Sequence, residues 1–266
     1  MGSLEGIDGG PPDRGARLGG DPISGDMMLI RYLWNGRELQ GRIEGSSAIS
    51  EGEEHPLVEV ELLAPSRPSK IVCVGLNYTE HARELGMEIP TEPIIFLKPP
   101  SSALSPGASI ILPRESEQVD YEGEMAIVVS QRCQRVSAAR ADDYILGYTC
   151  FNDVTARDLQ RRDGQWTRAK SFDTFAPFGP AIARIDPNDA SIKTRVNGEL
   201  RQSSNTSDLI FDVMQLMAFI SHIMTLEAGD VIATGTPPGV GQLRAGDDVE
   251  VEIDGVGVLM NPVIPG

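Results

Sequence analysis

The sequence predicts a mixed, mainly β architecture, with a small β-rich N-terminal domain ahead of a larger second domain. Three observations carry this. Apolar runs of strand length, bounded by Gly, Pro and Asn, recur along most of the chain. No regular alternation of strand and helix accompanies them, which argues against a doubly wound parallel sheet. The chain of 266 residues, 40% hydrophobic and 23% charged, has the composition of a globular protein with a sizeable core.

Residues 1–26 are rich in Gly, Pro and Asp without hydrophobic period, and read as a flexible extension. Structure is expected from Met27–Met28. Leu29–Trp34 and Leu39–Ile43 flank Asn35-Gly36, the strongest short-range hairpin signal. A strand over Leu57–Leu63 precedes the Pro-rich break Ala64–Pro68, which sets a small domain at 27–65 and the second domain at 66–266. Ile71–Val74 is a short buried strand, Asn77–Leu85 has helical composition, and Ile94–Leu97 is a strand ended by Lys98-Pro99-Pro100. Val119–Val129 reads as one long strand. A short helix over Ser137–Asp143 leads into the strand Ile145–Asn152, and Thr155–Arg162 can form a helical turn. Leu209, Ile210, Val213, Met214, Met217, Ile220 and Met224 recur at helical spacing behind N-capping side chains at Asn205–Ser207; this Met-rich face reads as core. Strands at Val231–Ala233 and Val249–Ile253 flank a Gly/Pro loop, the latter ending at the Asp254-Gly255 turn.

Charge excludes some functions. Lys and Arg number 23 and Asp and Glu 39, so the net charge is 23 − 39 = −16. Such a chain is poorly suited to nucleic acid or an anionic membrane surface. An anionic substrate would need local positive charge or a metal. Cys73, Cys133 and Cys150 are scattered without a CxxC, which reads as small buried apolar residues rather than disulfides or a zinc site. No apolar run is long enough to span a membrane, and no signal-peptide pattern opens the chain, so a cytoplasmic location is expected.

The densest chemistry is in Val119-Asp120-Tyr121-Glu122-Gly123-Glu124. In a strand Asp120, Glu122 and Glu124 share one face, and carboxylates two residues apart stand about 7 Å apart at the backbone, so their heads can converge on an ion. The polar face of a half-exposed strand fits the pattern equally well. Asp153 ends another apolar strand, where it either completes an oxygen-ligand set or caps a turn. Three carboxylates without His or Cys favour Mg²⁺ or Mn²⁺. His81 and Glu84, three apart on a helix face, form either a Glu-oriented general base or a surface pair. Lys98 and Lys170 are placed to hold a carboxylate or stabilise an enolate, unless they are merely solvated. Thr234-Gly235-Thr236-Pro237-Pro238-Gly239-Val240-Gly241 offers backbone amides and hydroxyls to a carboxylate, or is simply a tight turn. GxSxG, GxxxxGK[ST], GxGxxG after a strand and HExxH are all missing.

In this order these pieces resemble the fumarylacetoacetate hydrolase family. The matching segments are Gly75-Leu76-Asn77-Tyr78 with His81 and Glu84, Phe96-Leu97-Lys98-Pro99, Val119–Glu124, Asp153–Gln160, Ala169-Lys170-Ser171-Phe172-Asp173, Val196-Asn197-Gly198-Glu199 and Thr234–Pro237, spanning about Lys70 to Val263. The resemblance implies a fumarylacetoacetate hydrolase-like β-roll catalytic domain and a homodimer. It implies Mg²⁺ or Mn²⁺ on Glu122, Glu124 and Asp153, and a catalytic set of His81, Glu84 and Lys170, with the His81–Glu84 dyad on a lid. Tyr78, Lys98, Arg157, Gln160, Gly235 and Thr236 would contact substrate. One departure is Leu76, which stands where some acylpyruvase-like members carry Arg; a carboxylate contact is missing there, which weakens the case for acylpyruvase specificity.

The expected activity is metal-dependent cleavage of a C–C bond in a small anionic 2-keto acid through a metal-bound enolate, as an acylpyruvate or fumarylpyruvate hydrolase or an oxaloacetate decarboxylase. Isomerisation of a 2-hydroxydienedioate such as 2-hydroxyhepta-2,4-diene-1,7-dioate is the alternative. A non-catalytic protein stabilised by its metal is the competing reading from another class.

Overall fold

The computed structural model describes residues 27–84 and 86–266, so the expected extension over 1–26 lies outside the described residues. Met28–Trp34 pairs with Arg37–Glu44, as Asn35-Gly36 announces. Asn35 and Gly36 take φ of 49° and 75°, the left-handed turn whose twist suits a two-residue hairpin. A second hairpin, Ser47–Ser50 with Glu53–Pro56, turns at Glu51-Gly52 and was not anticipated. The expected strand over Leu57–Leu63 is instead a 3₁₀ turn at Leu57–Glu59 followed by a short strand, Glu61–Leu63. Leu57 donates its amide to Ser46 O, which draws that half of the segment out of the ladder.

One mixed sheet organises the molecule. From one edge it runs Glu53–Pro56, Ser47–Ser50, Arg37–Glu44, Met28–Trp34, Ala176–Ala183, Ile145–Asn152, Gly123–Val129, Val231–Ala233, Ile71–Gly75 and Ile94–Lys98. The pairing Leu29↔Ile182 joins the N-terminal strands to the rest. Neighbours along this path are antiparallel, except that Val231–Ala233 runs parallel to Ile71–Gly75. A five-stranded sheet contains Ser191–Val196, Glu199–Asn205, Asp248–Ile253, Gly257–Pro265 and Ile110–Leu112. Its buried Val251, Ile253 and Leu259 share a core with Ile127, Tyr148 and Ala181 of the first sheet. The architecture is mainly β, as the strand-length runs predict.

The segment read as one strand over Val119–Val129 is two. Val119–Tyr121 belongs to a small sheet with Thr155–Ala156 and Gly241–Gln242, whereas Gly123–Val129 belongs to the large one. Glu122 sits at the break. Gly123 lies so close to the second sheet that a Cβ there would fall 2.0 Å from Thr194 Oγ1.

Four α-helices are described: α1 (Thr79–Glu84), α2 (Arg157–Asp163), α3 (Thr167–Lys170) and α4 (Val213–Ile223). The helix expected from Leu209 starts at Val213. Asp212 and Gln215 form a capping box there, while Asn205 caps only a 3₁₀ turn, Thr206–Asp208. Between them Ile210 and Phe211 form a bend fixed by Asn77, whose main chain and side chain take their amides. Cys73, Cys133 and Cys150 are free and buried. No helix among the described residues is long and apolar enough to cross a membrane.

Candidate metal centre

The break at Glu122 builds the site. Gly123 pairs with Asn152, Glu122 N donates to Asn152 Oδ1 (3.0 Å), and Asp153 N donates to Glu122 O (2.8 Å). Glu122 and Asp153 thereby face each other across two antiparallel strands, and Glu124 follows two residues on. All three carboxylates are buried, and one oxygen from each lies within 4.8 Å of the others. Asp120, expected on the same face, is not one of the three converging carboxylates; Arg157 Nε (2.9 Å), whose guanidinium also bonds Glu122, and Gln118 Nε2 (3.2 Å) bind it.

Three cations surround the cluster. Lys170 Nζ donates to Glu122 Oε2 (2.9 Å) and Asp153 Oδ2 (2.6 Å) and sits 4.9 Å from the centroid of the Phe96 ring. Lys98 Nζ bonds Asp153 Oδ1 and Val154 O, and Arg157 bonds Glu122 Oε1. Thr155 Oγ1 also donates to Glu122 Oε1 (3.2 Å). Burial pushes the Glu122 pKa up, but Lys170 and Arg157 outweigh it and hold it well below the carboxylate range. Burial depresses Lys170, but Asp153 and Glu122 outweigh that and raise it, so the ammonium stays protonated. Glu124 differs. It accepts the Gly235 amide (2.8 Å), no lysine or arginine pairs with it among the described residues, and burial followed by repulsion from Asp153 and Glu122 raises its pKa well above normal.

These residues fit a hard divalent cation. The donors are carboxylate oxygens, converged and buried, and among the described residues no lysine or arginine pairs directly with Glu124. Each carboxylate oxygen has two lone pairs, so the lysine contacts leave acceptor capacity for an ion.

The other expected residues fall into two groups. Arg157 joins the cluster and holds Gln160 Oε1 at 2.7 Å; Gly235 touches Glu124; Thr236 Oγ1 donates to Gly123 O (2.9 Å). His81 and Glu84 form their own pair, Nδ1 to Oε2 at 2.9 Å, on α1. No hydrogen bond or ion pair joins them to the carboxylates among the described residues; Glu84 instead accepts the Gly239 amide at 3.3 and 3.4 Å. Tyr78 is buried with an unpartnered hydroxyl. Leu76, the departure in the motif, has φ of 56°.

Sequence reading missed the scaffold. Asn77, buried, donates to Thr234 O (2.7 Å) and Phe211 O (3.1 Å), tying the segment just before α1 to the 234–241 loop and to the chain ahead of α4. Gln202 accepts the Gly123 amide (3.0 Å) and donates to Thr236 Oγ1 and Pro237 O (both 2.8 Å). Asn152, beside Asp153, orients Glu122. The only signal for these was an amide side chain next to a Gly or acid motif, which turns supply as often.

Residues 70–264 match the model of the fumarylacetoacetate (FAA) hydrolase C-terminal family. With the mainly β fold and the acidic centre, this makes the chain a member of the fumarylacetoacetate hydrolase family, whose members are enzymes. Among its relatives, a protein of Archaeoglobus fulgidus is 58% identical over 240 residues, covering 89% of this chain and 96% of the relative. The mitochondrial oxaloacetate tautomerase of Rattus norvegicus is 46% identical over 222 residues, covering 79% of this chain and 71% of that protein. The crystal structure of 5-carboxymethyl-2-hydroxymuconate delta-isomerase from Mycobacterium smegmatis superposes with a TM-score of 0.86 at 46% identity, covering 90% of this chain and 99% of that one.

Proposed function

We propose that this enzyme moves a proton α to the carbonyl of a small 2-keto acid, as a tautomerase or isomerase, using Mg²⁺ or Mn²⁺ held by Glu122, Glu124 and Asp153. The observation that carries the reading is a carboxylate cluster compensated by Lys170, Lys98 and Arg157 in which one acid, Glu124, has no direct lysine or arginine partner among the described residues. Relatives named oxaloacetate tautomerase and 5-carboxymethyl-2-hydroxymuconate delta-isomerase support the direction of the chemistry. When bound, the ion supplies a Lewis acid for the substrate's carboxylate and keto oxygens.

The chain's residues divide the remaining work. Lys170, protonated and fixed by two carboxylates, is a stabiliser of negative charge on the enolate oxygen and not a base. Glu84 accepts from His81 Nδ1, which leaves Nε2 with its lone pair to take and return the proton. Arg157 and Gln160 present one linked donor set for the substrate carboxylate, with Lys98, Tyr78, Gly235 and Thr236 as further contacts. The same His81–Glu84 pair suits activation of water, so C–C hydrolysis or decarboxylation of a 2-keto acid is the second reading. The enzyme is further proposed to act as a homodimer, which sedimentation would test.

The test is a panel with Mg²⁺ and Mn²⁺: oxaloacetate, acetylpyruvate, fumarylpyruvate and a 2-hydroxydienedioate, followed by enol absorbance and by product. Loss of enol absorbance without pyruvate or CO₂ is expected; stoichiometric cleavage products would transfer the assignment to the second reading. Glu122→Gln should abolish metal-dependent turnover, and full activity in EDTA would overturn the metal assignment. His81→Ala should lower kcat far more than metal affinity. Metal-dependent stability without turnover on any of these acids would favour a non-catalytic, metal-stabilised protein.

A further inference from the structure

Gln202 is the one buried residue of Glu199–Asn205, the edge strand of the five-stranded sheet. It pairs with Thr194 on the neighbouring strand, and both side chains reach the large sheet at Gly123. A Cβ on Gly123 would lie 2.0 Å from Thr194 Oγ1 and 3.2 Å from Gln202 Oε1, so the absent side chain is what admits them. Burying a primary amide is costly unless its polar atoms are bonded. Here the oxygen and both amide protons of Gln202 are used, and all three bonds go to main chain or side chain beside the metal centre.

These bonds close a ring. Gly123 N donates to Gln202 Oε1 (3.0 Å), Gln202 Nε2 donates to Thr236 Oγ1 (2.8 Å), and Thr236 Oγ1 donates to Gly123 O (2.9 Å). The other amide proton goes to Pro237 O (2.8 Å). Gly123 N can only donate and Pro237 O can only accept, so the Gln202 amide has a single orientation. The ring grips both polar groups of Gly123, and therefore the peptide unit leading back to Glu122 and the one leading on to Glu124. It also fixes Thr236, whose neighbour Gly235 donates its amide to Glu124 (2.8 Å). Three buried carboxylates with oxygens within 4.8 Å of one another repel until a cation joins them. Without a brace they would spread, and an arriving ion would have to draw them together. Held by the ring, they are converged beforehand.

We propose that Gln202 is a positioning residue of the metal centre: through Gly123 and Thr236 it fixes the separation of Glu122 and Glu124 and so sets the affinity of the site for its ion. Among the described residues no hydrogen bond joins Gln202 to the three carboxylates, so it acts only through the ring. The inference rests on the reading that Glu122, Glu124 and Asp153 hold Mg²⁺ or Mn²⁺. It places control of metal binding in the edge strand of the second sheet, outside the strands that carry the ligands.

The test is Mg²⁺ calorimetry on the full-length protein, paired with thermal melts. Gln202→Met keeps the length of the side chain and removes all three bonds; it should bind Mg²⁺ at least about tenfold more weakly, the scale of one or two buried hydrogen bonds. Thr236→Val opens the same ring and should weaken Mg²⁺ by a similar factor, and Thr236→Ser, which keeps the hydroxyl, should recover that affinity. Because both changes open one ring, the Gln202→Met/Thr236→Val variant should bind within about threefold of the weaker single variant. Asn261 supplies the comparison. It is as buried as Gln202, and its Nδ2 donates to Ser105 O (3.0 Å) and Ala108 O (2.8 Å), with no bond to the ring or the carboxylates. Asn261→Leu should melt lower and bind Mg²⁺ within about twofold of the wild type. A Gln202→Met variant that behaves the same way, melting lower with its Mg²⁺ affinity intact, overturns the proposal, and so do losses that add in the double variant. If Gln202→Met does not fold, Thr236→Val and Thr236→Ser decide: equal affinities overturn the ring. If the wild type binds neither Mg²⁺ nor Mn²⁺, the metal-centre reading itself fails and takes this role of Gln202 with it.

Discussion

Glu122, Gly123 and Glu124 show how much one residue decides here. Gly123 separates two metal-ligand candidates and has no room for a methyl group, because Thr194 Oγ1 occupies the space. Gly123→Ala should cost about 1–3 kcal/mol and weaken Mg²⁺ binding, with Thr194→Ala restoring part of both; thermal melts with and without Mg²⁺ check it. Lys170 is the complementary case. Lys170→Met leaves Glu122 and Asp153 with less compensation in a dry site and should destabilise the metal-free protein by about 3–5 kcal/mol, less with Mg²⁺ present. The carboxylates were legible as a spacing and Lys170 as part of a motif. The clash that makes Gly123 necessary was not, since Thr194 is far away in sequence. Nor did any local pattern distinguish a buried Lys98 from a solvated one; its burial follows from the position of Asp153 on another strand.

Elements were legible where their signal was local. The Asn35-Gly36 hairpin and the alternation of Val249, Val251 and Ile253 needed only neighbours. The split of Val119–Val129 did not, because a continuous apolar run gives no sign that its two halves pair in different sheets. Ala176–Ala183, a central strand, was passed over because Pro177, Gly179 and Pro180 read as breakers. The start of α4 was misplaced because Leu209 and Ile210 fit the helical period, while the cap that decides it is Asp212. Asp212→Ala should lower stability by about 1 kcal/mol without changing kcat, read from urea midpoints and turnover together. Asn77→Ala should cost more, about 3 kcal/mol, and raise KM, since that side chain makes one hydrogen bond to Thr234 of the 234–241 loop and two to Phe211.

At the scale of the whole molecule, distant parts of the chain meet where Val231–Ala233 lies parallel to Ile71–Gly75, and Asp230 secures the junction. Its carboxylate accepts from Ser69 N (2.8 Å), Ser69 Oγ (2.7 Å), Lys70 Nζ (2.5 Å) and Glu227 N (2.8 Å). Burial raises its pKa, but the Glu227 amide and Lys70 and Ser69 side chains outweigh that, and the net shift is downward. A carboxylate depressed in the folded state stabilises fully above its unfolded pKa, and that stability is lost as pH falls through the folded value. Asp230→Asn should therefore cost about 3 kcal/mol at pH 7 and flatten the loss of stability between pH 5 and 3, as urea titrations would show. The lysines and the arginine around Glu122 and Asp153 bear on the molecule's handling as well as its chemistry. The apoprotein carries its own counter-ions, so folding need not wait for metal, unlike domains whose structure collapses under a chelator. Stripping with EDTA should leave a folded, inactive, storable form that magnesium switches back on within the time of mixing.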